Sequence, residues 1–130
     1  MPRDLATHPV HLGLNATTMA EPAFTGMAWY ADYVQRHAAD GVEGRLVSLH
    51  DFDRDWDSWE MHPAGDEVVV CIAGEITLIQ QIEGTEHSVT LTAGGYAINP
   101  RGVWHTANIA HTAQALFITA GWGTQDRPRD

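Results

Sequence analysis

Lysine is absent from this chain. All seven basic residues are arginines, which excludes a Schiff-base nucleophile and a lysine phosphate clamp. Basic charge is scarce altogether. Against the seven arginines stand 17 acidic residues, for a net charge of −10 and a pI near 5.0. A surface of that sign repels a phosphate backbone and no basic stripe offsets it, so nucleic acid is not an expected partner. Cysteine is limited to Cys71, which excludes a disulfide within the chain and a cysteine zinc cage. Flanked by Val70 and Ile72, it reads as a core residue rather than a nucleophile. The three serines, Ser48, Ser58 and Ser88, lack a glycine elbow, so a hydrolase triad has no support. No apolar run approaches the roughly 18 residues of a membrane helix, and Met1 to His8 lacks the apolar segment of a signal peptide. The expectation is a cytoplasmic protein without a membrane partner, in which the sequon Asn15-Ala16-Thr17 carries no meaning.

Nucleotide and calcium motifs are missing too. There is no Walker loop or dinucleotide fingerprint, and Gly121-Trp122-Gly123 opens no helix. The ladder Asp51, Asp53, Asp55, Asp57 resembles the start of a calcium loop. Trp56 stands where that loop needs glycine and His62 where it needs glutamate, so the ladder reads as a solvated acidic loop.

What is present is one domain's length of chain, 130 residues with a 44% hydrophobic fraction. Its texture changes near Gly44. Residues 1–43 form an extension with one helical stretch, in which Met27, Tyr30, Val34 and Ala38 recur at helical spacing. Thr25 is the expected N-cap and Asp40-Gly41 the expected stop. The aromatics Trp29, Tyr30 and Tyr33 mark either a helix packed on the main body or a ligand contact. Residues 44–120 read as short strands punctuated by glycine and proline, with no βαβ alternation, and residues 121–130 as a tail. Arg45–Phe52 alternates, Glu67–Ala73 is a buried-strand run ended by Gly74, and Glu83-Gly84-Thr85 is turn chemistry. The class is all-β, an antiparallel sandwich or barrel with a helical N-terminal extension.

One constellation carries chemistry. In Trp59-Glu60-Met61-His62-Pro63-Ala64-Gly65-Asp66-Glu67, strand alternation puts Glu60 and His62 on one face. The turn Pro63–Asp66 returns Glu67 beside His62, and His105 arrives from a distant strand. Two histidines and two carboxylates converging on a point suit a divalent transition metal. With eight histidines in the chain, a chance Glu-x-His pair is the alternative. If Glu67 and His105 face inward, Val69, Cys71 and Ala73 and then Val103 and Ala107 line an apolar interior fit for a small organic ligand. Arg45 and Arg101 are either substrate-carboxylate contacts or ordinary exposed arginines.

The full pattern resembles the cupin superfamily. Glu60-x-His62, Glu67 after four intervening residues and Gly74 after six match its first motif, with Glu60 in place of the first histidine. Gly94, Pro100, Gly102, His105 and Asn108 match its second, the asparagine one residue early. The resemblance covers about residues 44–120 and implies a double-stranded jelly-roll β-barrel, usually a homodimer, with a metal inside. His62, Glu67 and His105 carry over as ligands. Glu60 is then a fourth ligand, or a catalytic base beside a three-ligand site. Two carboxylates favour Fe, Mn or Zn and blunt the ion's Lewis acidity. The implied function is a metal-dependent dioxygenase or isomerase acting on a small organic molecule. The alternatives are a non-catalytic sensor or storage barrel and a barrel whose metal site has decayed.

Overall fold

A computed structural model describes residues 2–130. The extension holds β1 (Val10–Leu12), β2 (Thr18–Ala20) and α1 (Ala28–Arg36). The main body runs β3 (Arg45–Phe52), β4 (Ser58–Met61), β5 (Glu67–Ile82), β6 (Thr85–Thr92), β7 (Tyr96–Asn99), β8 (Trp104–Asn108) and β9 (Ala113–Thr119), and β10 (Gln125–Pro128) closes the chain. Every strand pairing is antiparallel.

β5 organises the molecule. Its first half pairs with β7 and β9, and its second half pairs with β6 and β8. It therefore belongs to two sheets, one in the order β2-β1-β3-β9-β5-β7 and the other in the order β10-β4-β8-β5-β6. The apolar run foreseen at Glu67–Ala73 continues past Gly74 as one 16-residue strand, because Gly74 bends it without ending it. A register shift falls between Cys71 and Ala73, and Gly74 takes φ +72°. A Cβ at Gly74 would lie 2.1 Å from the carbonyl oxygen of Thr112, so both the dihedral and the space demand glycine. Glu83 (φ 52°) and Gly84 (φ 78°) make the two-residue turn joining β5 to β6, as the turn chemistry suggests.

Between the sheets lies a core of Val69, Cys71, Ile76, Leu78, Leu91, Ala107, Ile109, Ala113, Ala115 and Phe117. Cys71 is fully buried there. A second cluster, Trp29 and Tyr33 of α1 on Leu46 of β3, seats the extension on the barrel. The helix differs in detail from its sequence pattern. Trp29 and Tyr33 are its buried residues, Tyr30 and Val34 are half-buried, and Met27 is 77% exposed. Trp29 and Tyr33 outweigh the Met27, Tyr30 and Val34 stripe because together their rings bury more area, and Tyr33 also finds a polar partner in His11. Thr25 is not the N-cap: that position is Met27, which offers no side-chain bond. α1 stops at Arg36, and a helical turn over Ala38–Glu43 follows before Gly44. Among the described residues no helix is long and apolar enough to cross a membrane.

Candidate metal centre

The register of three strands assembles the site. Glu60 pairs with His105 across β4 and β8, so their side chains rise from one face. His62, two residues past Glu60, keeps that face just beyond the end of β4. Glu67 opens β5, paired with Asn99 on one side and Thr119 on the other. Four side chains from the sequence pattern are thereby brought together. His62 Nε2 lies 3.2 Å from Glu67 Oε2, and His105 Nε2 lies 3.3 Å from Glu67 Oε1 and 3.9 Å from Glu60 Oε1. Glu60, His62 and His105 each offer one ligand atom within 4.8 Å of the others.

Hydrogen bonds at the back of each imidazole set its tautomer. The single hydroxyl proton of Thr124 goes to the carbonyl of Gly121 at 2.9 Å, so Thr124 accepts from His62 Nδ1–H at 2.8 Å. The carbonyl of Val103, 3.4 Å from His105 Nδ1, can only accept. Both neutral rings therefore carry their lone pair on Nε2. Both Nε2 atoms are buried, and neither makes a well-formed hydrogen bond, although a Glu67 oxygen lies within 3.3 Å of each. Burying two unpaired nitrogens costs stability unless something else takes their lone pairs. A cation between them and the carboxylates would do so, and the donor set fits a divalent transition metal.

The carboxylates are unequal. Glu67 is almost fully buried, a change that opposes ionisation. His62, His105 and the Thr119 hydroxyl overcome this and hold its pKa below the ordinary carboxylate value. Thr119 donates to Glu67 Oε2 at 2.6 Å and Asn99 to Oε1 at 3.0 Å, while Gln80 donates to Asn99 Oδ1 at 2.8 Å. Burial and the Glu67 charge instead raise the pKa of Glu60, whose side chain is 37% exposed. For the imidazoles, burial lowers His105. At His62 burial is outweighed by Glu67 and Glu60, and the pKa rises.

Several groups around the site have no local signature in the sequence. Asn99, Thr119, Thr124 and Gln80 are ordinary polar residues until the fold places them behind the His and Glu side chains of the site. Tyr30 of α1, one of the aromatics marked in the sequence, also lies near the site, its pKa raised by burial and then by Glu60 and Glu67. Its ring lies 5.4 Å from Phe24, which packs 5.8 Å from His50 on the inner face of β3. The extension thus covers the same end of the barrel as the site. Deeper in, the Trp56 ring stands 6.3 Å from that of His105, and its indole N–H is buried without a partner. Arg45 does not reach the site: Leu46 points inward, so Arg45 faces out and is exposed. Arg101 is also exposed, in a turn whose Gly102 N–H donates to the His62 carbonyl at 3.1 Å.

A second group, His11, His37 and Asp40, also brings ligand-type atoms together. Here every pairing is complete. His11 bonds Tyr33 and Asp40 at 2.6 Å each, His37 bonds Glu21 at 2.9 Å, and Arg36 bonds Glu21 at 2.9 Å. The two imidazoles stack at 3.6 Å and 16°, so their in-plane lone pairs run side by side without converging. This network fastens the extension to itself and has no use for an ion.

No family model matches the sequence, and no curated protein matches it. Solved structures match its fold. A cupin-2 domain protein from Shewanella frigidimarina NCIMB 400 superposes with a TM-score of 0.50 at 21% identity, covering 65% of this chain and 71% of its own. Oxalate oxidase in complex with the substrate analogue glycolate gives 0.55 at 18% identity, covering 62% and 45%. Fe(II)-HppE with the alternative substrate (S)-1-HPP gives 0.50 at 17%, covering 58% and 42%. The chain spans less than half the length of the last two. The two-sheet barrel hinged on β5 and these superpositions agree: the chain has the double-stranded β-barrel fold of the cupin superfamily.

Proposed function

We propose that this protein is a metal-dependent enzyme, of dioxygenase or isomerase type, acting on a small organic molecule inside the barrel. The observation that carries it is the pair of buried, unpartnered Nε2 atoms of His62 and His105 beside Glu67 and Glu60. Among structures of the same fold, the iron(II) in one and the small oxygen-bearing ligand glycolate in another support this reading. His62, Glu67 and His105 hold the ion and Glu60 completes the set, with Fe, Mn or Zn matching two imidazoles and two carboxylates. The ion supplies Lewis acidity toward substrate oxygens. Thr124, Asn99 and Thr119 keep the ligating atoms aimed. The apolar interior excludes water, and the free indole N–H of Trp56 offers a bond to a ligand oxygen.

Elemental analysis of protein purified without added metal tests the proposal. The expected result is close to one equivalent of Fe, Mn or Zn, and less than about a tenth of an equivalent overturns it. His62→Ala, Glu67→Ala and His105→Ala each weaken affinity about a hundredfold or more, whereas His8→Ala, His87→Ala and His111→Ala leave it unchanged. Glu60 separates two roles. As a ligand, Glu60→His keeps the ion and Glu60→Gln weakens it; as a base, Glu60→Gln keeps full occupancy and abolishes turnover.

A further inference from the structure

A pocket that the proposed reaction does not use opens on the outer face of the second sheet. Trp59 and Trp104 precede Glu60 and His105, so strand alternation turns both indoles away from the metal centre. Arg127 of β10 pairs with Trp59, and Gln81 of β5 lies between Trp104 of β8 and Glu86 of β6. The Arg127 guanidinium lies 4.3 Å from the Trp104 ring centroid and 5.7 Å from that of Trp59, and it donates to Gln81 Oε1. Arg129, two residues on, donates from Nη1 to the carbonyls of Trp56 and Ala107 at 3.0 and 3.2 Å. Trp59, Gln81, Glu86, Arg127, Arg129 and Asp130 line a space of about 470 Å³. Among the described residues neither arginine pairs with a carboxylate, although Glu86 and Asp130 share the pocket with them.

We propose that this pocket binds a neutral pyranose sugar. The inference is independent of the metal centre. Four features select that chemistry. The first is a mixture of donors and acceptors that leave one another unsatisfied. The arginines bring N–H groups with no carboxylate partner, and Glu86 and Asp130 bring oxygens with no arginine partner. A sugar hydroxyl both donates and accepts, so neighbouring hydroxyls can satisfy both kinds at once. Charge is the second feature. An organic anion meets Glu86 and Asp130 and a cation meets Arg127 and Arg129, so a polar ligand without charge is repelled by neither pair. The third is the aromatic wall. Trp59 is half-buried, and the negative face of an indole attracts the C–H bonds along one side of a pyranose ring. The fourth is rigidity. Stacking on Trp104 and the bond to Gln81 fix Arg127, and two carbonyls fix Arg129, so little side-chain freedom is lost on binding. The volume falls within the roughly 300–1,000 Å³ of small-molecule sites.

Titration of the full-length protein with the methyl pyranosides of glucose, galactose, mannose and N-acetylglucosamine is the test, read by saturation-transfer NMR up to about 50 mM sugar. At least one glycoside binds with a dissociation constant in the millimolar range or below, and binding by none of them overturns the proposal. Glu86→Ala, at an exposed position, and Arg127→Gln each weaken that binding about fivefold or more without changing the far-ultraviolet circular dichroism. Folded variants that both bind as wild type does place the sugar elsewhere and overturn it. Metal content separates this pocket from the barrel interior. Protein stripped by a chelator binds the same glycoside unchanged, whereas binding lost with the metal puts the sugar inside the barrel and overturns the proposal. Inorganic phosphate at the same concentration leaves the transfer signal intact; displacement of the sugar by phosphate reveals an anion site and overturns it.

Discussion

Thr124 shows how one hydroxyl proton decides the chemistry of a distant ring. Because that proton is committed to the carbonyl of Gly121, the oxygen is left to accept from His62 Nδ1–H, and Nε2 is left bare. Thr124→Val removes the acceptor and frees the ring to rotate or switch tautomer. Metal affinity should fall about tenfold with the melting temperature of the metal-free protein nearly unchanged, read by competition with a chromophoric chelator. His50 offers a pH test at the same scale. Its ring lies 5.9 Å from Phe117 and 6.3 Å from Phe52, and burial holds its pKa below the ordinary imidazole value, against the pull of Asp51. The unfolded chain therefore takes up the proton first. Stability is retained above the unfolded value of about 6.5 and is lost as pH falls from there through the depressed folded one. Urea midpoints of metal-free protein at pH 7.5 and 5.5 should converge in His50→Gln relative to wild type; an equal drop in both proteins removes the assignment.

Among the elements, β5 depends most on a single position. Gly74→Ala places a methyl group against the Thr112 carbonyl and a side chain at φ +72°, so it should destabilise the fold by about 2 kcal/mol or more. Chemical denaturation measures it, and a loss under about 0.5 kcal/mol would mean that the bend relaxes freely. The same strand shows what a sequence displays and what it hides. Glu60, His62 and Glu67 were legible as a group because alternation and turn placement are local properties, whereas His105, on a distant strand, was joined to them by the cupin pattern. An antiparallel sandwich or barrel was legible from strand lengths and glycine spacing, and the cupin resemblance pointed to the barrel. The continuation of β5 through Gly74 was not, since glycine marks a bend and a stop alike. The supporting shell of Asn99, Thr119 and Thr124 was not legible either. Each owes its place to pairing with strands distant in sequence, and neither composition nor periodicity encodes that register. In α1 the choice between the Tyr30–Val34 face and the Trp29–Tyr33 face turned on what lay opposite, Leu46 and His11, which the helix's own residues do not reveal.

At the scale of the molecule, the extension and the barrel are joined by two different kinds of contact. β1 continues the first sheet beyond β3 through backbone bonds, while α1 packs aromatic rings on Leu46. The final strand, β10, edges the second sheet through β4, the strand that carries Glu60. The site is thus held between the two ends of the chain, with Tyr30 on one side and Thr124 on the other. One further consequence follows from β5 having neighbours on both flanks over Glu67–Val70 and again over Thr77–Gln81. The amides there have no route to solvent through fraying of an edge, so deuterium should enter Val68–Val70 and Thr77–Gln81 only when the entire protein opens. β2 and β10, each bonded on one side, should label by local opening in far less time. In a native-state exchange experiment the slowest amides would report the global free energy of unfolding, making β5 a built-in gauge of stability for every variant made elsewhere in the barrel.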